Sequence, residues 1–88
     1  MYIVLSCDIH GSQEVTIHCV SVDGIKALNN YEKVCKRYQD YNQHFGIYGI
    51  RRIVDLMRVP DEFDLEDGVC FFGKHNFVQG VERIASSQ

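Results

Sequence analysis

Asp8, His10, His75 and four cysteines are the residues whose types and spacing could do chemistry in this 88-residue chain. Asp8-x-His10-Gly11 closes an apolar run that begins at Ile3. Carboxylates, imidazoles and thiolates are the side chains that hold metal ions or activate nucleophiles. A second arrangement is Cys7-x-x-His10 with Cys70-x4-His75. Two thiolates and two imidazoles make a suitable tetrahedral zinc set. Their spacing is not that of a finger or ribbon, however, and the gaps flank predicted strands rather than a knuckle. Cys19 beside His18 offers a nucleophile and a base, but adjacent strand residues point to opposite faces and cannot share a proton.

The run Ile3-Val4-Leu5-Ser6-Cys7-Asp8-Ile9-His10-Gly11 resembles the opening strand of calcineurin-like metallophosphoesterases, in which an apolar strand ends in Asp-x-His-Gly. Gly73-Lys74-His75-Asn76, after the apolar run Val69 to Phe72, is similar to that family's later Gly-Asn-His motif. The resemblance implies a two-metal centre for phosphate-ester hydrolysis, with Asp8 and His10 as ligands and His75 as a third. Lys74 stands where the family has its Asn, which puts positive charge where a metal would sit. The family's Gly-Asp motif is absent. The residues themselves read as a hairpin turn, with thiol cysteines acting as small hydrophobes and no metal or cofactor. A metal-binding or hydrolase-like protein using Asp8, His10 and His75 is the alternative.

These residues sit among elements with clear periodicity. Tyr2 to Cys7 and Glu14 to Val22 are alternating runs joined by the polar turn His10-Gly11-Ser12-Gln13, which predicts an antiparallel hairpin. Ile3, Leu5 and Cys7 share one face, as do Val15, Ile17 and Cys19, and this apolar face is expected to receive a helix. That helix is predicted over Gly24 to Phe45. Ala27, Tyr31, Val34, Tyr38, Tyr41 and Phe45 recur at steps of four and three, with Leu28 and Cys35 widening the stripe. Ser21 and Asp23 can cap its start, and Gly46 is the expected left-handed stop.

Residues 47–59 fit a strand, with Tyr48, Ile50, Arg52, Val54, Leu56 and Arg58 on one face, or a helix along Ile47, Ile50, Val54 and Met57. The β-branched content favours the strand. Val69 to Phe72 reads as a fourth strand. Asn76 and Gln79 have capping-box spacing, and Phe77, Val81 and Ile84 predict a short final helix weakened by Gly80. The expected architecture is a single α+β domain over residues 1–88. It has a small, largely antiparallel sheet in β-β-α-β-β-α order, with one long amphipathic helix packed on one face.

Composition narrows the function. A hydrophobic fraction of 45% is that of a folded domain. The net charge of -3 does not favour nucleic-acid binding. No apolar run approaches a membrane span. Met1 to Leu5 enters a strand pattern directly, without a basic region or a small-residue cleavage site, which predicts a cytoplasmic protein. A core this small leaves room for a homodimer.

Charge is unevenly laid out. Gly24 to Arg58 holds seven Lys or Arg against three acids, whereas Val59 to Gly73 holds five acids and no base. Asp61, Glu62, Asp64, Glu66 and Asp67 surround Phe63 and Leu65, which reads as an exposed loop. Acids would steer a partner and the two apolar residues would anchor it in a basic-rimmed pocket. The expected function is a small non-catalytic module that binds another protein through residues 61–67. In size and layout the chain resembles small proteins encoded by bacteriophages, some of which bind host enzymes.

Overall fold

The computed structural model describes residues 1–9, 15–62 and 80–87. Four strands form one antiparallel sheet: β1 (Tyr2–Asp8), β2 (Val15–Ser21), β3 (Arg52–Arg58) and β4 (Glu82–Ser86). Their order across the sheet is β2-β1-β3-β4. Both neighbours of β1 run antiparallel to it, so β2 and β3 are parallel to each other. The chain therefore crosses from one to the other through α1 (Gly24–Phe45), as a parallel pair requires. This is the expected α+β class.

Local chemistry sets the helix ends. Asp23 is the N-cap, its Oδ1 accepting from the N–H groups of Ile25 at 2.9 Å and Lys26 at 3.4 Å. Ser21 acts one step earlier, its Oγ accepting from the Asp23 N–H at 3.0 Å. The stop differs from expectation. Gly46 keeps right-handed helical angles (φ -61°) and the chain tightens into a 3-10 turn over Gly46–Tyr48. Gly49, at φ 79°, takes the left-handed conformation instead, which an L side chain resists.

The periodic stripe of α1 does face the sheet. Ala27 and Val34 are buried against Val4, Val54 and Leu56, and Tyr31, Cys35 and Tyr38 pack on the same cluster. The face of β1 that receives them is the reverse of the expected one. Ile3 and Leu5 lie in a separate cluster with Met57 and Val59, against which Met1, Val15 and Val81 pack. Both faces of the central strands are thus buried, so alternation could not reveal which one meets the helix. Leu28, expected in the core, is 42% exposed.

β2 carries an irregularity with consequences. Its pairing with β1 runs Val4 to Cys19 and then Leu5 to Ile17, leaving His18 as the extra residue. Such a bulge re-aims side chains. His18 and Cys19 both contact the helix side, through Tyr38 and the Val4 cluster respectively.

Of residues 47–59, Arg52–Arg58 form the favoured strand, with Val54 and Leu56 in the helix-side cluster and Arg52 against Tyr38. Tyr48 and Ile50, expected on its face, instead precede it in and after the 3-10 turn. The C-terminal expectation is corrected. Glu82–Ser86 is the strand β4, paired with β3 from Asp55 to Arg58, not a helix. Gly80, at φ 90° with Pro60 Cγ 3.1 Å from where its Cβ would lie, is a left-handed turn residue before that strand. The expected strand at Val69 to Phe72 and the capping box of Asn76 and Gln79 lie outside the described residues.

Leu56 is 2% exposed, so Leu56→Ala is expected to cost about 2–5 kcal/mol in urea unfolding. Leu28→Ala should cost about 1 kcal/mol or less. Equal losses would mean that the helix faces the sheet through a different stripe.

Candidate functional site

The polar groups converge where β1, β2, β3 and the second half of α1 meet. Arg52, at the start of β3, extends across β1 toward β2. Its Nε donates to Ser6 Oγ at 2.8 Å, its Nη2 donates to Thr16 Oγ1, and its Nη1 lies 3.4 Å from Asp8 Oδ1. Its guanidinium carbon sits 5.2 Å from the centre of the Tyr38 ring, a cation–π arrangement. Its backbone is held as well. Asn42 accepts from the Arg52 N–H at 2.7 Å and donates to the Arg52 carbonyl at 3.0 Å. One helix side chain thereby occupies the edge positions of β3 that β4 does not reach.

Ser6 is fully buried, and its Oγ lies 2.7 Å from His18 Nε2. Since Oγ accepts from Arg52, its own proton is available to the imidazole, which suits a neutral ring. Burial pushes the His18 pKa down, and Arg37 and Arg52 push it further. The Tyr38 ring stands edge-on to His18 at 5.9 Å. A hydroxyl beside a neutral imidazole is the pairing used to activate a nucleophile, but a fully buried Ser6 is closed to substrate. Sequence reasoning missed this pair because twelve residues and a bulge separate its members. Arg52 stood out in the sequence only as one member of the alternating face of residues 47–59.

Of the candidate metal ligands, Asp8 and Cys7 belong to the described residues. The Asp8 Oδ1 lies 3.4 Å from Arg52 Nη1, so a cation already occupies that position. His10, Gly11 and His75 lie outside them, as does Cys70. Cys7, Cys19 and Cys35 are thiols, not disulfides. Burial raises the Cys7 pKa, helped by Asp8. Burial also raises that of Cys35, against the opposing hydrogen bond from Tyr31. Tyr31 is itself pushed up to about 12, chiefly by burial and then by Cys35. These groups therefore stay protonated near neutral pH. Among the described residues no three His, Cys, Asp or Glu side chains form a metal-binding group, and no helix is long and apolar enough to cross a membrane.

Of the candidate docking residues, Asp61 and Glu62 are described, and both are exposed. Asp61 Oδ1 pairs with the Met1 ammonium at 3.1 Å while its side chain stays 86% exposed. Phe63, Asp64, Leu65, Glu66 and Asp67 lie outside the described residues.

A cleft of about 590 Å³ opens beside the polar cluster, between α1 and the first residues of β3. Lys36, Gln39 and Gln43 form its helix wall, Arg51 stands on the strand side, and Cys35 and Ile53 supply apolar surface.

No family model matches the chain, and neither a curated protein nor a solved structure matches it.

The His18 environment has a signed pH consequence. The folded ring binds its proton less readily than the unfolded one, whose pKa is about 6.5. As pH falls through that value the unfolded chain protonates first, so stability drops until the folded ring protonates too. Between about pH 7.5 and about pH 5.5 the melting temperature of wild type is expected to fall more than that of His18→Gln. Parallel curves would show that His18 is not held neutral.

Proposed function

We propose that the chain is a small non-catalytic module that binds another protein through the acidic segment from Asp61 to Asp67, in the cytoplasm. The observation that carries this reading is the anchored, exposed start of that segment. Val59 N–H donates to the Met1 carbonyl at 2.8 Å, and the Met1 ammonium bonds both Val59 O at 3.0 Å and Asp61 Oδ1 at 3.1 Å. The N-terminus thus fixes the point from which the acids depart, while leaving the Asp61 carboxylate in solvent. Five acids and no compensating base from Val59 to Gly73 give this part of the chain a negative charge that attracts a basic partner. Phe63 and Leu65 are the anchoring groups for an apolar pocket rimmed by Arg or Lys. The non-catalytic reading is supported by the polar cluster, in which Ser6, His18 and Arg52 satisfy one another inside the fold.

The test begins with a partner captured on the immobilised protein and continues with its binding kinetics. Neutralising Asp64, Glu66 and Asp67 to Asn or Gln is expected to slow association about tenfold at low salt and to flatten its salt dependence. The melting temperature should stay near that of wild type. Phe63→Ala should accelerate dissociation. Unchanged association by the neutralised variant would place the binding surface elsewhere.

A further inference from the structure

We propose that the cleft between α1 and the start of β3 is a binding site for a small phosphate monoester with a polar-edged organic body, of which a nucleoside monophosphate is the type. Three observations carry this. The first is charge. Lys36 and Arg51 line the cleft from its two sides, and no acid is among its described lining residues. Three arginines of the fold are paired: Arg52 with Asp8, Arg58 with Glu82 and Arg83 with Asp55. Neither Lys36 nor Arg51 meets a carboxylate among the described residues. In a chain of net charge -3, a concave surface with two such cations beside Arg52, and no acid among its described lining residues, focuses positive potential. Two cations match the charge of about -2 on a phosphate monoester better than the single charge of a carboxylate.

The second observation is the amide wall. Lys36, Gln39 and Gln43 follow one another at steps of three and four, so they share one stripe of the helix. Each glutamine presents a donor pair and an acceptor, which can meet the edge of a heterocycle. Cys35 of the helix and Ile53 of β3 add apolar surface to the lining.

The third observation selects a small molecule over a peptide strand. An extended peptide would need free backbone groups on the outer edge of β3. At Arg52 both are taken by Asn42. At Val54 the N–H donates to Ser87 Oγ at 2.8 Å and the carbonyl accepts from Ser87 N–H at 2.9 Å. With the edge closed, the volume of about 590 Å³ is in the range of small-ligand sites. The cleft lies at the opposite end of β3 from Asp61, roughly 20 Å along the strand, so the proposal is independent of the acidic segment.

The test is titration of the ¹⁵N-labelled protein with AMP and UMP, with adenosine and inorganic phosphate as separate arms. At least one nucleotide is expected to shift the amides of Lys36, Gln39, Gln43 and Arg51 saturably, with a dissociation constant of about 1 mM or tighter. Adenosine and phosphate alone should each bind about tenfold more weakly or worse. The double variant Lys36→Gln with Arg51→Gln should weaken nucleotide binding about tenfold without changing the melting temperature. Gln43→Glu should do the same by adding an acid to the wall. Bound nucleotide should also slow alkylation of Cys35, read by peptide mass, and leave that of Cys7 unchanged. Absence of saturable shifts at these amides, equal binding by phosphate alone, or full binding by the double variant would each overturn the proposal.

Discussion

The placement of Arg52 is the constraint on which the rest of this structure depends. A guanidinium that is largely removed from water must meet charge and hydrogen-bond acceptors, or it destabilises the fold. Here it meets Asp8 and Ser6 on β1, Thr16 on β2 and the face of Tyr38 on α1. One side chain therefore links three strands and the helix. Its planar fork suits this task in a way that a lysine ammonium does not. The apolar cluster of Val4, Ala27, Val34, Val54 and Leu56 supplies the burial, while Arg52 fixes how the second half of the helix lies over the sheet.

Several features follow from that placement. Asn42 can reach the Arg52 backbone only if α1 lies along this line, and its two hydrogen bonds seal the strand edge. The bulge in β2 turns His18 toward Ser6 and Tyr38, filling the space beside the guanidinium with a neutral ring. The same positioning leaves Lys36, Gln39 and Gln43 over the start of β3, and so creates the cleft. Ser6, His18 and Arg52 hold one another inside the fold, while the cleft and the Asp61 carboxylate face solvent.

Much of the fold was legible in the sequence. The stripe marked the helix, its members from Ala27 to Tyr38 marked the sheet-facing side, and Asp23 marked its start; Phe45, at the end of the stripe, is exposed. The alternation of Arg52, Val54, Leu56 and Arg58 located β3. Other features were hidden for physical reasons. β1 is apolar on both faces, so nothing local said that Val4 rather than Ile3 and Leu5 would meet the helix. A bulge shifts the faces of β2 by one residue, and no residue type announces it. Val81 and Ile84 fit a helical step over too few positions to exclude a strand, and the left-handed Gly80 tipped that segment to β4. The polar cluster was the least legible part. Ser6, His18 and Arg52 are distant in sequence, and each is an ordinary strand residue until the topology joins them.

The central claim is that the Arg52 guanidinium ties the strands and helix together through partners that need it. A double-mutant cycle of Arg52→Met and Asp8→Asn, followed by urea unfolding, tests it most directly. Removing Arg52 alone leaves Asp8 without its counter-charge and Ser6 and Thr16 without their donor. The single substitution is therefore expected to lose about 3 kcal/mol, and the two residues should couple by about 1–3 kcal/mol. Arg52→Met as stable as wild type, with additive effects in the double variant, would contradict the account.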